Sequence, residues 1–319
     1  MSNKFWKSFS IVLHVLFDEI EIQTKVFTEA YTKSDDDELI NMLIEYTEIN
    51  SSTDDNAAIR KASEIGHIAI VDRLLQDGTG RVDPSADNNS AICWASRNGH
   101  VAVVDRLLQE DKSTNRVDPS AVNNYAIRYA SLNGHIAVVD RLLQDSRVDP
   151  SVYNNSAIQW ASKNGYIAVV DRLLQDRRVD PSTRDNDAIR WASNNGHIAV
   201  VDRLLQDGRV DPSADNNNAI RYASERGHIA VVDRLLREDR SRVDPSDCNN
   251  YAIRWASYNG HIAVVDRLLQ DDRVDPTVKY NSAIRLASQN GHNAVVERLL
   301  QDRTGRVDLS ANKNSAICI

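Results

Sequence analysis

A chain of 319 residues ordinarily makes two globular domains. Its net charge of −8 speaks against a general nucleic-acid binder held by phosphate contacts, and 41% hydrophobic with 26% charged residues is the composition of a folded chain. No apolar run reaches the ~18–20 residues of a membrane span, and three Cys (93, 248 and 318) without a C-x-x-C pair suit a reducing, cytoplasmic compartment better than a disulfide framework. The rare residues fall at one phase. All seven Pro stand in V-D-P, and eight of 12 Gly and seven of eight His stand in one recurring turn. Such a chain is a tandem repeat, not a pair of ordinary domains.

In chain order, residues 1–17 come first. Phe5-Trp6 and Phe9 to Phe17 are strongly apolar but interrupted by Lys7, Ser8, Ser10 and His14. The pattern predicts a helix packed on the first repeat, with a partner-docking helix or a membrane-surface anchor as alternatives. No small-residue cleavage site comes after it, which argues against a secretory signal. Residues 1–55 carry the net negative charge, leaving the rest nearly neutral. Glu38 to Glu45 reads as a second helix of a degenerate unit, with Val26 to Tyr31 as its first helix. Residues 18–55 are therefore expected to be an acidic capping repeat, since a solenoid needs a polar end.

From residue 56 the recurrent Gly sets the period: positions 66, 99, 134, 165, 196, 227, 260 and 291, stepping by 31 with insertions of two or four. Every insertion falls between L-L-[QR] and R-V-D, which marks an exposed loop. Within one unit, Ala188 to Ser193 predicts a helix of at most two turns, capped by Asp187, with Ser90, Ser156 and Asn218 as caps elsewhere. Asn195-Gly196 ends it, with the Gly at positive φ. Ile198, Val201, Leu204 and Leu205 predict a second helix. Arg209-Val210-Asp211-Pro212 then stops it, because Pro lacks the N–H and disfavours α before it. Neither short helix buries its apolar face alone, so stacking must stabilise both.

Ser90–Leu108, S-A-I-C-W-A-S-R-N-G-H-V-A-V-V-D-R-L-L, resembles the ankyrin repeat frame T-P-L-H-x-A-x-x-x-G-H-x-x-V-V-x-x-L-L. The resemblance covers eight units over 56–313 and a truncated ninth at 314–319. It implies an all-α ankyrin solenoid of helix–turn–helix units, with an extended or β-hairpin finger at V-D-P. The wording N-x-A-I-R-W-A-S-x-N-G-H also resembles arrays of giant DNA viruses of amoebae and some protists. This chain departs from the family frame in three places. Pro of T-P-L-H is Ala throughout, and its His is mostly Arg (60, 128, 190, 221, 254 and 285), with Cys93, Gln159 and Cys318 as exceptions. The finger Gly is mostly Asn (88, 123, 154, 216 and 249), the non-Gly residue best suited to a left-handed turn, whereas Tyr280 and Lys313 suit it less.

The recurrent polar residues read as scaffold. His67, His100, His135, His197, His228, His261 and His292 each open a second helix, and units ~10 Å apart cannot bring them to one metal. The Asp-Arg pairs of the second helices, from Asp72-Arg73 to Asp266-Arg267, alternate in sign and read as a solvated outer face. Trp94, Tyr129, Trp160, Trp191, Tyr222 and Trp255 occupy an apolar position of the frame and read as core rather than as a nucleic-acid stacking stripe. No nucleophile–base pair, phosphate loop or ligand cluster stands outside the repeat phase. Neither catalytic residues nor a cofactor nor a metal is expected.

Function is then expected where units differ. One varying series lies in the finger: Asp87, Val122, Tyr153, Arg184, Asp215, Cys248, Lys279 and Asn312. The other lies near the end of the first helix: Glu64, Arg97, Leu132, Lys163, Asn194, Glu225, Tyr258 and Gln289. The resemblance places both on a concave face that contacts a protein partner, with Tyr153, Tyr258 and Leu132 as exposed anchors. Drift at unconstrained surface is the bland alternative. Two others are a ubiquitin-ligase adaptor working through residues 1–20 and self-association through an uncapped end at Ala316 to Ile319. A membrane partner is not expected.

Overall fold

The computed structural model describes residues 56–76, 82–109 and 117–301. The expectations for residues 1–17, 18–55 and 314–319 lie outside these. Among the described residues sixteen helices stand in eight pairs, one pair per unit. They are α1 (Ala57–Ile65) with α2 (Ile68–Gln76), α3 (Ala86–Arg97) with α4 (Val101–Leu108), α5 (Ala121–Leu132) with α6 (Ile136–Leu142) and α7 (Val152–Lys163) with α8 (Ile167–Leu174). They continue as α9 (Thr183–Asn194) with α10 (Ile198–Leu205), α11 (Ala214–Glu225) with α12 (Ile229–Leu235), α13 (Asp247–Tyr258) with α14 (Ile262–Leu269) and α15 (Val278–Gln289) with α16 (Asn293–Leu300). First helices pack on first helices of adjacent units, and second helices on second helices. The result is a solenoid whose contacts are almost all between neighbours.

The core is one continuous column of small and branched residues. In the unit of α9 and α10, Ala188, Ile189, Ala192, Val200, Val201 and Leu204 are buried, with Val210 closing the floor from the connection. The buried set is wider than the four residues read from the second helix. Val200 joins it, and Ile198 is only half-buried. Truncating one such Leu to Ala costs ~2–5 kcal/mol. The turn between paired helices is as expected. Gly196 has φ 77, and a Cβ built there would come 2.6 Å from Nδ1 of His228 in the next unit. Glycine is needed for both the backbone and the space.

The connection before each first helix differs from expectation. Among the described residues there is no strand, so no β-hairpin finger is seen. The chain after V-D-P instead makes three successive left-handed residues: Asp87, Asn88 and Asn89 at φ 52, 55 and 62, and likewise Tyr153, Asn154 and Asn155. The triplet recurs from α3 to α15 and includes Tyr280 at φ 60. The physical reason lies in the third Asn. From Asn124 on it is buried, and its Oδ1 accepts the N–H of the V-D-P Asp one unit on: Asp149 to Asn124, Asp180 to Asn155 and Asp211 to Asn186, each at 2.8 Å. The Asp carboxylate turns the other way and accepts from Ser two residues on, as at Ser151 N (2.9 Å) and Oγ (2.6 Å). A hydrogen-bonded rung replaces the paired strands.

Two further inter-unit ladders brace the array. Arg of R-V-D reaches back to a Val carbonyl of the preceding unit, as Arg178 to Val148 (2.7 Å), while gripping Asp176 through Nε and Nη2. The second-helix Asp and Arg do face outward, but they are paired across units. Arg172 meets Asp140 and Arg203 meets Asp171, each at 2.6 Å, and Arg141 meets Asp105. The expected capping does not occur. The hydroxyls of Ser90 and Ser156 are buried without partners, Asn218 donates to Asp215 (2.7 Å) and Asp187 accepts from Arg190. Those four residues come directly after the left-handed triplet, so they lie inside the first turn, past the capping position.

Candidate functional site

The first helices present one edge built from four positions at helical spacing. In α5 these are Tyr125, Arg128, Tyr129 and Leu132, at i, i+3, i+4 and i+7, which share a face. The residue that opens the left-handed triplet, Val122 in this unit, stands beside them. The second helices cover the opposite side of the core, so this edge repeats along the array once per unit.

The aromatic series is not core. Trp94, Trp191 and Tyr222 are 37%, 41% and 37% exposed, and Tyr129, Trp160 and Trp255 are half-buried. The rings run along the edge instead, because the interior at each rung is already filled by Ala and Ile. Trp94 meets Tyr125 (6.4 Å between centroids), Tyr125 stacks on Tyr129 (3.9 Å) and Tyr129 meets Trp160 edge-on (5.5 Å). A second run joins Tyr222, Tyr251, Trp255 and Tyr258.

Cations sit on these rings. The Arg97 guanidinium lies between Trp94 (5.0 Å) and Tyr129 (5.6 Å), and the Lys163 ammonium lies over Trp191 (5.0 Å). Arg128 faces Tyr153 at 4.5 Å and Trp160 at 5.7 Å. Each such contact contributes ~0.5–2 kcal/mol according to its desolvation. In the second run, burial and the adjacent Glu225 carboxylate, which accepts from Tyr251 Oη at 2.6 Å, push the Tyr251 hydroxyl up. Burial draws Arg254 below its ordinary value.

None of the varying residues read from the sequence as partner-binding is buried. Asp87, Val122, Tyr153, Arg184, Asp215 and Lys279 are exposed, each at φ 51–53. Their backbone is therefore constrained, and only their side chains are free to differ. Lys163, Tyr258 and Gln289 are exposed, while Arg97, Asn194, Glu225 and Leu132 are half-buried, so Leu132 is less open than expected. Several meet through scaffold neighbours: Val122 and Tyr153 at Arg128, Arg184 at Asp187, and Asp215 at Arg190 (2.8 Å). Lys279 and Gln289 lie outside the ring contacts. Sequence reasoning missed Tyr125, Tyr251 and the Arg128 series as members of this edge. The spacing in Y-A-I-R-Y holds the signal, but an apolar position of the family frame points to core.

The end of each first helix is held through its backbone. His197 Nε2 and Asn195 Nδ2 both donate to the carbonyl of Lys163 (3.0 and 2.9 Å), and His261 and Asn259 do so to Glu225. The His series is thus structural as expected, and its bonds span units. Where Tyr166 replaces His, Asn164 alone holds Leu132 (2.8 Å). Among the described residues, no group of three or more His, Cys, Asp or Glu is placed to hold a metal, and no helix is long and apolar enough to cross a membrane.

Comparison with known families agrees with this architecture. The family model described as ankyrin repeats (3 copies) matches residues 29–118 and 222–313, more than half of the chain. No curated protein matches the sequence significantly.

Proposed function

On the premise that this chain belongs to the ankyrin-repeat family, we propose that it is a non-enzymatic scaffold whose concave face, formed by the first helices, binds a protein partner. Ankyrin repeats are in general protein–protein interaction modules, and the arrangement of side chains here supports that use. One observation carries the reading. Most positions that repeat are spent on burial or on inter-unit bonds, while none of the thirteen varying residues is buried. Exposed rings bordered by charges of both signs suit a protein surface, where aromatic and Arg anchors supply most of the affinity. A cytoplasmic setting, and kinship with giant-virus arrays, belong to the same proposal.

Crosslinking with mass spectrometry from the native cell identifies the partner and its footprint. Alanine at Tyr153, Lys163 and Arg184 together is expected to abolish the crosslinks while leaving helical circular dichroism unchanged and lowering the melting temperature only by what the two lost cation–π contacts imply. Undiminished crosslinking by that triple variant refutes the face as the binding surface and leaves drift as the explanation of the variation.

A further inference from the structure

The cations of the edge are not equivalent. Arg190 is neutralised by Asp187 (3.2 Å) and Asp215 (2.8 Å), and the second-helix Arg residues are paired across units. Arg128 is different. It is 9% exposed, and its Nε and Nη2 donate to the carbonyls of Asn123 (2.9 Å) and Val122 (3.2 Å). Among the described residues no carboxylate meets it, and its Nη1 has no acceptor. A cation withdrawn from water without a counter-charge is costly, and carbonyl dipoles and the faces of Tyr129, Tyr153 and Trp160 offset only part of that cost. One unit to either side, Arg97 and Lys163 also lie over rings, and neither has a carboxylate partner among the described residues. Arg221 and Arg254 also donate to carbonyls with no carboxylate ion pair among the described residues, but they are more exposed than Arg128. At Arg97, Arg128 and Lys163 three such cations follow one another in successive units around a buried one.

We propose that Arg97, Arg128 and Lys163 form a carboxylate-reading subsite for an acidic, extended segment of the partner protein. This rests on the reading of the first-helix edge as the partner surface. Units ~10 Å apart match one turn of an extended polyproline II segment, three residues rising ~3.1 Å each, in which residues i, i+3 and i+6 share a face. Asp or Glu at i, i+3 and i+6 of the partner therefore meets the three cations in turn, and Arg128 Nη1 supplies the charge-assisted bond at the centre. Intervening apolar side chains lie on Trp94, Tyr125 and Trp160. A single-stranded nucleic acid fits less well. Guanidinium and ammonium groups occupy the ring faces that bases need, and Asp87, Asp185, Asp187 and Asp215 border the stretch with charge that repels phosphate.

The variant Arg128→Gln keeps the fold, because Gln159 occupies this position one unit on and donates to the Asn154 carbonyl (2.8 Å) just as Arg128 does to Asn123. The full-length chain is panned against phage-displayed random 12-residue peptides, and the winners are synthesised for fluorescence anisotropy. The expected winners carry Asp or Glu at three-residue spacing. They weaken ~10-fold on Arg128→Gln, as loss of one charge-assisted bond implies, weaken again on Arg97→Gln with Lys163→Gln, and lose affinity as salt rises. The variant Gln159→Arg is expected to tighten them. Winners that lack acidic residues, or that bind Arg128→Gln equally well, overturn the subsite. If such winners still depend on Tyr153, the partner face itself survives. If they ignore Tyr153, or if no peptide is selected, both readings fail for peptide partners. Competition by a 15-residue oligothymidylate at lower concentration than the peptides overturns the ligand class.

Discussion

Replacing Asn155 tests whether the left-handed triplets hold the array together. The Asn155 side chain is buried, its backbone is at φ 62, and its Oδ1 accepts Asp180 N–H at 2.8 Å. Asn155→Ala removes the acceptor and leaves a part-buried N–H unpaired, at a cost of ~1–3 kcal/mol. It also places a Cβ residue without local polar support in the left-handed region, adding ~1 kcal/mol. The expected total is ~2–4 kcal/mol. Asn155→Gly separates the two effects. It loses the same bond without the steric penalty, and its unfolded-state entropy costs ~0.5–1 kcal/mol. Urea unfolding followed by circular dichroism reads both values. Because the bond joins neighbouring units, the Ala variant is further expected to broaden the transition as the array splits at α7 and α9. Both variants within ~0.5 kcal/mol of the parent, with an unchanged slope, refute the claim that this rung couples the units.

The same packing carries three more predictions. The hydroxyls of Ser162 and Ser193 are fully buried and without partners, so Ser→Ala at each is expected to raise stability by ~1 kcal/mol, additively, in urea melts; a loss of stability refutes the unpaired state. Burial pushes the Cys93 thiol up to about 12, so iodoacetamide at pH 8 is expected to leave it unmodified until the chain unfolds, as peptide mapping by mass spectrometry checks. Hydrogen bonds from Arg178, Arg209 and Arg273 hold the carboxyls of Asp176, Asp207 and Asp271 below their ordinary value of 3.8. The folded state therefore binds those protons less readily than the unfolded state. Their contribution is complete above the unfolded value and is lost as pH falls through the folded one, so Asp176→Asn is expected to lower the melting temperature at pH 7 and to narrow the gap from the parent near pH 2.

Much of the fold is legible because the repeat prints it eight times. Gly196 announces a positive φ that only glycine takes without strain, and Pro212 announces the end of the second helix. The varying positions are legible for the same reason, since Tyr153 and Lys163 differ where Ala161 and Val170 do not. The aromatic edge is harder to read. A ring at an apolar frame position looks like core until the rung is seen to be full, and Ala126, Ile127 and Ala130 already fill it in α5. The connection is obscure for a similar reason. Asn124 in a D-P-x-x-x-N-N context signals a turn, but only the three-dimensional neighbour shows that its amide oxygen accepts from Asp149 of the next unit. Inter-unit bonds at a separation of 25 to 38 residues leave no local periodicity to detect.

The pair of hydrogen bonds that His197 and Asn195 donate to the Lys163 carbonyl has a wider consequence. The residue that varies from unit to unit contributes only main chain to the brace, and main chain is common to all twenty amino acids. Recognition is thereby uncoupled from assembly. A new ligand preference needs only a new decoration at that site, and rungs can be exchanged, duplicated or reordered without renegotiating how they stack.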